Sequence, residues 1–128
     1  MTIDRRAIVA GVTLAAALGG AASANTPAIP NAYGSVGKIR AKPGERVALA
    51  TLILAGANDL PGCLSYVVAQ DVGDADALWV FETWTDKAAH DLSLKLPAVR
   101  EAIAKARPLI AGFETGAELT VLGGVNRR

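Results

Sequence analysis

The chain is poor in the residues that build most catalytic machinery. Among 128 residues it has one cysteine, Cys63, and one histidine, His90. A single cysteine excludes an intramolecular disulfide, even in an oxidising compartment. One histidine and one cysteine also argue against a closed zinc or haem-type site and leave carboxylates as the ligands open to a weakly held hard cation. No glycine pattern of the nucleotide-binding or phosphate-cradling kind is present. Charge of one sign is missing too: 13 basic against 12 acidic residues leave a net charge of +1. A balance of this kind gives no electrostatic footprint for nucleic acid or an anionic membrane. Aromatic residues number only six, yet three of them fall between Ala77 and Trp84, which draws attention to that stretch.

The N-terminus reads as an address. Arg5-Arg6 precede an apolar run from Ala7 to Gly20, and Ala22-Ser23-Ala24 follow as a small-residue cleavage pattern. The run is short for a membrane span and is interrupted by Gly11, Gly19 and Gly20. The expectation is a signal peptide over residues 1–24, of twin-arginine type, and a periplasmic or secreted protein without stable membrane association. Cleavage after Ala24 leaves 104 residues, enough for one core. Eleven acidic residues then balance eleven basic ones.

Residues 25–32, with Pro27 and Pro30, read as an extended linker, residues 33–124 as the domain and 125–128 as a loose tail. Tyr33 to Ala41 alternates moderately and reads as a first strand. Pro43-Gly44-Glu45 is a helix-start pattern, and Arg46 to Ala57 is apolar on nearly all sides, so this helix is expected to cover a sheet and also to meet a pocket or a second subunit. Cys63 to Gln70 and Ala77 to Trp84 read as strands around a turn at Asp71 to Asp76. Asp86 is placed to cap the next helix, which runs to about Leu94. Pro97 opens another helix that Pro108 ends or kinks, and Phe113 to Leu122 reads as the last strand. The order β, α, β, β, α in two pieces, β predicts an α+β, ferredoxin-like split βαβ fold with helices on one sheet face.

Chemistry converges on the third strand. Period-two alternation puts Leu78, Val80, Glu82 and Trp84 on one side and Trp79, Phe81 and Thr83 on the other. Glu82 is the odd member of its row: a carboxylate among apolar neighbours is paired, hydrogen-bonded or shifted in pKa. It is a candidate for catalysis or for a structural pairing with an arginine or a helix end. Tyr66 shares a face with Leu64 and Val68, and its hydroxyl needs a partner if buried. Trp79 is expected to be ordinary core. His90 stands a turn and a half into the helix after Trp84. It is either a surface histidine or a base, being the one side chain here that ordinarily titrates near neutrality. Ser65, Ser93 and Asp91 supply hydrolase residue types but no nucleophile-elbow pattern.

These residues carry a resemblance. Gly37-Lys38-Ile39-Arg40-Ala41, Pro61-Gly62-Cys63-Leu64-Ser65-Tyr66, Glu82-Thr83-Trp84, His90 and Pro97-Ala98-Val99, in this order and spacing, resemble the antibiotic biosynthesis monooxygenase family, in particular its small quinol monooxygenase branch. The resemblance implies a homodimeric α+β barrel that oxygenates phenols or quinols without metal or flavin. A branch of the family carries an aromatic pair at the spacing of Trp84 and His90, with tyrosine at the second position. The haem-degrading branch fits less well, since Tyr33 to Ala41 holds no asparagine and Arg100 stands ten residues beyond His90. The sequence thus points to a cofactor-independent monooxygenase acting on a small phenol or quinol with O₂. His90, Trp84 and Glu82 are its catalytic candidates, and Tyr66 and Ser65 its substrate-binding ones. A binding module for aromatic or quinone compounds under stress is the alternative.

Overall fold

The computed structural model describes residues 31–124. The signal peptide, most of the linker and the tail expected from the sequence lie outside them. Strand β1 (Ala32–Ala41) leads to helix α1 (Arg46–Gly56), and strands β2 (Cys63–Gln70) and β3 (Ala77–Trp84) follow as a hairpin. Helices α2 (Lys87–Ser93) and α3 (Pro97–Ala106), a 3-10 turn at Arg107–Leu109 and strand β4 (Ile110–Val121) complete the domain. The sheet order is β2-β3-β1-β4 and every neighbouring pair is antiparallel. This is the ferredoxin-like α+β arrangement that the element order predicts.

Local chemistry accounts for most boundaries. Asp86 Oδ1 accepts from the Ala89 amide at 2.8 Å and caps α2. Pro97 occupies the first turn of α3, and the helix gives way to the 3-10 turn just before Pro108. Asp71 Oδ1 takes the Gly73 amide at 2.8 Å and closes the β2–β3 turn. Gly44 adopts a φ of 79°, so Pro43 and Gly44 form a turn ahead of α1 rather than its first residues.

Two boundaries differ from the sequence reading because long-range pairing sets them. Ala32, read as linker, joins β1 opposite Val121. Strand β4 starts at Ile110 instead of Phe113, since two register shifts along β1 let the chain return opposite Ala41.

The core lies between the sheet and α1 and α3, around fully buried Leu49 and Leu78 with Ala41 and Ala106. Helix α1 meets the expectation in part: Leu49 and Gly56 are buried and Ile53 lines a cavity, while Val47 (66% exposed) and Leu54 (49%) face away. Trp79 corrects its reading as core. It lies half-buried on the sheet face away from the helices, where its indole N–H donates to Asp71 at 2.9 Å and the Lys38 ammonium stands 5.8 Å from its ring.

Candidate active site

Strand register builds the site from residues far apart in sequence. Ser35 of β1 and Tyr66 of β2 both stand opposite Glu82 of β3, and Tyr33 stands opposite Trp84 one row further on. All of these except Tyr33 line an apolar cavity of about 660 Å³ between the sheet and the helices. Helix α2 sets His90 over the end row. Its ring lies 5.5 Å from Trp84 in an edge-on arrangement and 5.2 Å from Tyr33 in a tilted one. His90, Trp84, Glu82 and Tyr66, four of the five residues singled out from the sequence, therefore share one cavity.

The polar groups are individually anchored. His90 Nδ1 lies 2.9 Å from Asp91 Oδ1. A carboxylate only accepts, so Nδ1 carries the proton and Nε2 of the neutral ring is the acceptor. The hydrogen bonds of His90 and then Lys87 hold the Asp91 carboxyl below its ordinary range, which keeps it ionised beside the imidazole. Trp84 Nε1 donates to Glu82 Oε1 at 3.1 Å. Burial pushes the Glu82 carboxyl up; the Trp84 hydrogen bond and, whenever the imidazole is protonated, the positive charge of His90 oppose that shift without cancelling it. Burial, reinforced by the Glu82 charge, also pushes the Tyr66 phenol well above its usual range, so its hydroxyl stays protonated. The half-buried Cys63 thiol is pushed up by burial as well and is not a nucleophile in waiting.

Ser65 is not part of this assembly. It is the strand neighbour of Tyr66 and therefore points to the opposite sheet face, where its hydroxyl pairs with Thr83 Oγ1, and it does not line the cavity. Tyr33, Ser35, Phe113 and Arg107 line or flank the site and were missed by sequence reasoning. Tyr33 and Ser35 carry a period-two signal on β1, but only the β1–β3 register brings them to Trp84 and Glu82. Among the described residues no group of three or more His, Cys, Asp or Glu side chains converges as metal ligands.

A family model described as antibiotic biosynthesis monooxygenase matches residues 32–105. The chain is 49% identical to a candidate antibiotic biosynthesis monooxygenase from Chloroflexus aurantiacus, whose crystal structure superposes with a TM-score of 0.73 over 74% of this chain and 97% of that one. A Deinococcus radiodurans protein of the same description is 24% identical, with a TM-score of 0.61 over 75% of this chain and 98% of that one; it supports the fold alone. An uncharacterized protein of Synechocystis, sll1783, is 30% identical over 78 residues, 59% of this chain, which spans about half (53%) of that relative's length. The chain belongs to the antibiotic biosynthesis monooxygenase family.

Proposed function

We propose that the protein is a cofactor-independent monooxygenase that oxidises a phenol or quinol with O₂. The observation that carries this reading is the oriented His90: its Nδ1 proton is held by Asp91, its ring is packed on Trp84 and Tyr33, and it borders an apolar cavity. Its Nε2 accepts a phenolic proton, and the resulting electron-rich anion passes an electron to O₂. The electrons balance without a reductant. A quinol and O₂ give a hydroxyquinone and water: one oxygen atom forms the new C–O bond, and the other leaves as water with the two hydrogens that the substrate loses. Base catalysis of this kind contributes about 10²–10⁴-fold. Trp84 and Tyr66 shape the pocket, and Glu82, half-buried and hydrogen-bonded to Trp84, orients a substrate hydroxyl or relays its proton.

The test is oxygen uptake by the full chain with a hydroquinone, with the product identified by mass spectrometry. Uptake with formation of a hydroxyquinone supports the reading; saturable binding without uptake makes the protein a binding module instead.

The reading extends to a homodimer in the periplasm. Val67 (52% exposed), Phe81 (45%) and Leu119 (48%) stand on the open sheet face, and a patch of that kind is covered in an obligate dimer. Light scattering at micromolar concentration tests it, and a stable folded monomer counts against it. Arg5-Arg6 and Ala22-Ser23-Ala24 support export, which a mature N-terminus at Asn25 in the periplasmic fraction would establish.

A further inference from the structure

The cavity is larger than a single aromatic ring requires and its two ends differ in chemistry. At about 660 Å³ it falls within the roughly 300–1,000 Å³ range that encloses drug-sized ligands. One end holds His90, Glu82 and Tyr66; the middle is apolar, with Ile53, Val80 and Ile103; and the lining at the other end includes Arg107.

Strand geometry separates the two ends. Ser35, opposite Glu82, and Ala41, opposite Ile110, stand six residues apart on β1, which at about 3.4 Å per residue is about 20 Å. Arg107 sits in the turn just before Ile110. Allowing for side chains that reach inward from both ends, a ligand on the order of 10–15 Å long spans the gap.

Arg107 also differs from the other cations of the domain that have clear work. Lys38, Arg40, Lys87 and Lys105 each lie within ion-pair distance of a carboxylate, and Arg46 donates to the Asp71 and Asp74 carbonyls. Among the described residues Arg107 has no such partner; Arg107 and Arg100 are both exposed, but only Arg107 also lines the cavity. A second cation stands at the same corner, where the Lys42 amide donates to the Leu109 carbonyl at 2.8 Å.

We infer that Arg107 is a specificity-determining residue that binds an anionic tail, and that the substrate is an elongated amphiphile: a dihydroxyaryl head at His90 and Glu82, an apolar body, and a carboxylate at Arg107. This rests on the reading of the cavity as the substrate site. A guanidinium forks onto a carboxylate through two parallel N–H···O bonds, which fixes both the distance and the orientation of the head.

The test compares two ligands on the full-length protein, an octanoate bearing a dihydroxyphenyl ring at its far carbon and the matching octanamide, which has the same length and no charge. Calorimetric titration without oxygen gives the affinity ratio. The carboxylate is expected to bind about tenfold tighter, the scale of one charge-assisted hydrogen bond. Arg107→Gln brings the ratio close to one, Arg107→Lys restores part of it, and Arg100→Gln leaves it at the wild-type value. A wild-type ratio near one, a tenfold ratio that survives in Arg107→Gln, or no binding of either ligand overturns the inference. Oxygen uptake with the same pair keeps the two readings apart. Preference without uptake removes the monooxygenase and leaves the anion site, while uptake without preference removes the anion site alone.

Discussion

The two faces of the sheet handle charge in opposite ways. On the face under the helices Glu82 has burial and one indole N–H for company, and its carboxyl is pushed up. On the open face Asp71, Asp74 and Glu114 gather around Lys38 and Arg40, and all three carboxyls are pulled down. Asp74 reaches about 2, chiefly through its hydrogen bonds from Arg40. The same residue class thus shifts in opposite directions on the two faces of one sheet: desolvation dominates at Glu82, hydrogen bonds from Arg40 at Asp74 and Glu114, and the Trp79 indole and then the Gly73 amide at Asp71. The covered face keeps groups that are costly to ionise, as suits proton transfer. The open face keeps its charges paired and leaves apolar Phe81, Val67 and Leu119 beside them.

The largest effect is expected at the proposed base on the covered face. His90→Gln removes the proton acceptor while keeping size and polarity, and turnover with a hydroquinone should fall roughly 10²–10⁴-fold with the fold intact. Oxygen uptake alongside circular dichroism checks this; an unchanged rate makes His90 a bystander.

Gly62→Ala attacks the frame that holds the histidine. Gly62 has a φ of 80°, and a Cβ there would stand 2.7 Å from the Ala89 Cβ and 3.0 Å from Thr85 Oγ1. Backbone strain and overpacking against α2 together cost roughly 2–4 kcal/mol, to be read from urea unfolding. A loss below about 0.5 kcal/mol, the scale of a surface substitution, would show that α2 yields easily.

Glu82→Gln sharpens the comparison itself. Because the folded carboxyl titrates above its ordinary value of 4.5, the folded state binds that proton more tightly than the unfolded chain. The native state therefore loses stability as pH rises from that value through the raised one. The variant should be more stable than wild type at neutral pH, and the gap should close below the ordinary carboxylate range. A gap independent of pH would contradict the burial account.

The open face predicts the reverse slope and a smaller change, because its ion pairs are partly solvated. Asp74 stabilises the fold above its ordinary value of 3.8, and that contribution is lost as pH falls towards about 2. Asp74→Asn should flatten acid unfolding in that window and lower its salt sensitivity; identical acid titrations of the two proteins would count against the pairing.

Local chemistry made much of this molecule legible in its sequence. The limits of β2 and β3, the Asp86 cap, the proline positions around α3 and the row Leu78, Val80, Glu82, Trp84 depend on propensity and period alone, and those signals act over a few residues. The same reading brought His90 near Trp84, because one strand-helix corner joins them. Only the tertiary structure decided the rest. Tyr33 and Ser35 reach the site through the β1–β3 register, and Arg107 through the turn that returns β4 to Ala41; Ser65, by contrast, is excluded by the simple alternation that sets it on the face opposite Tyr66. A slip of one residue moves a side chain to the opposite sheet face. Trp79 was misplaced for a related reason: alternation says that two faces differ, but packing of α1 and α3 decides which one becomes the core.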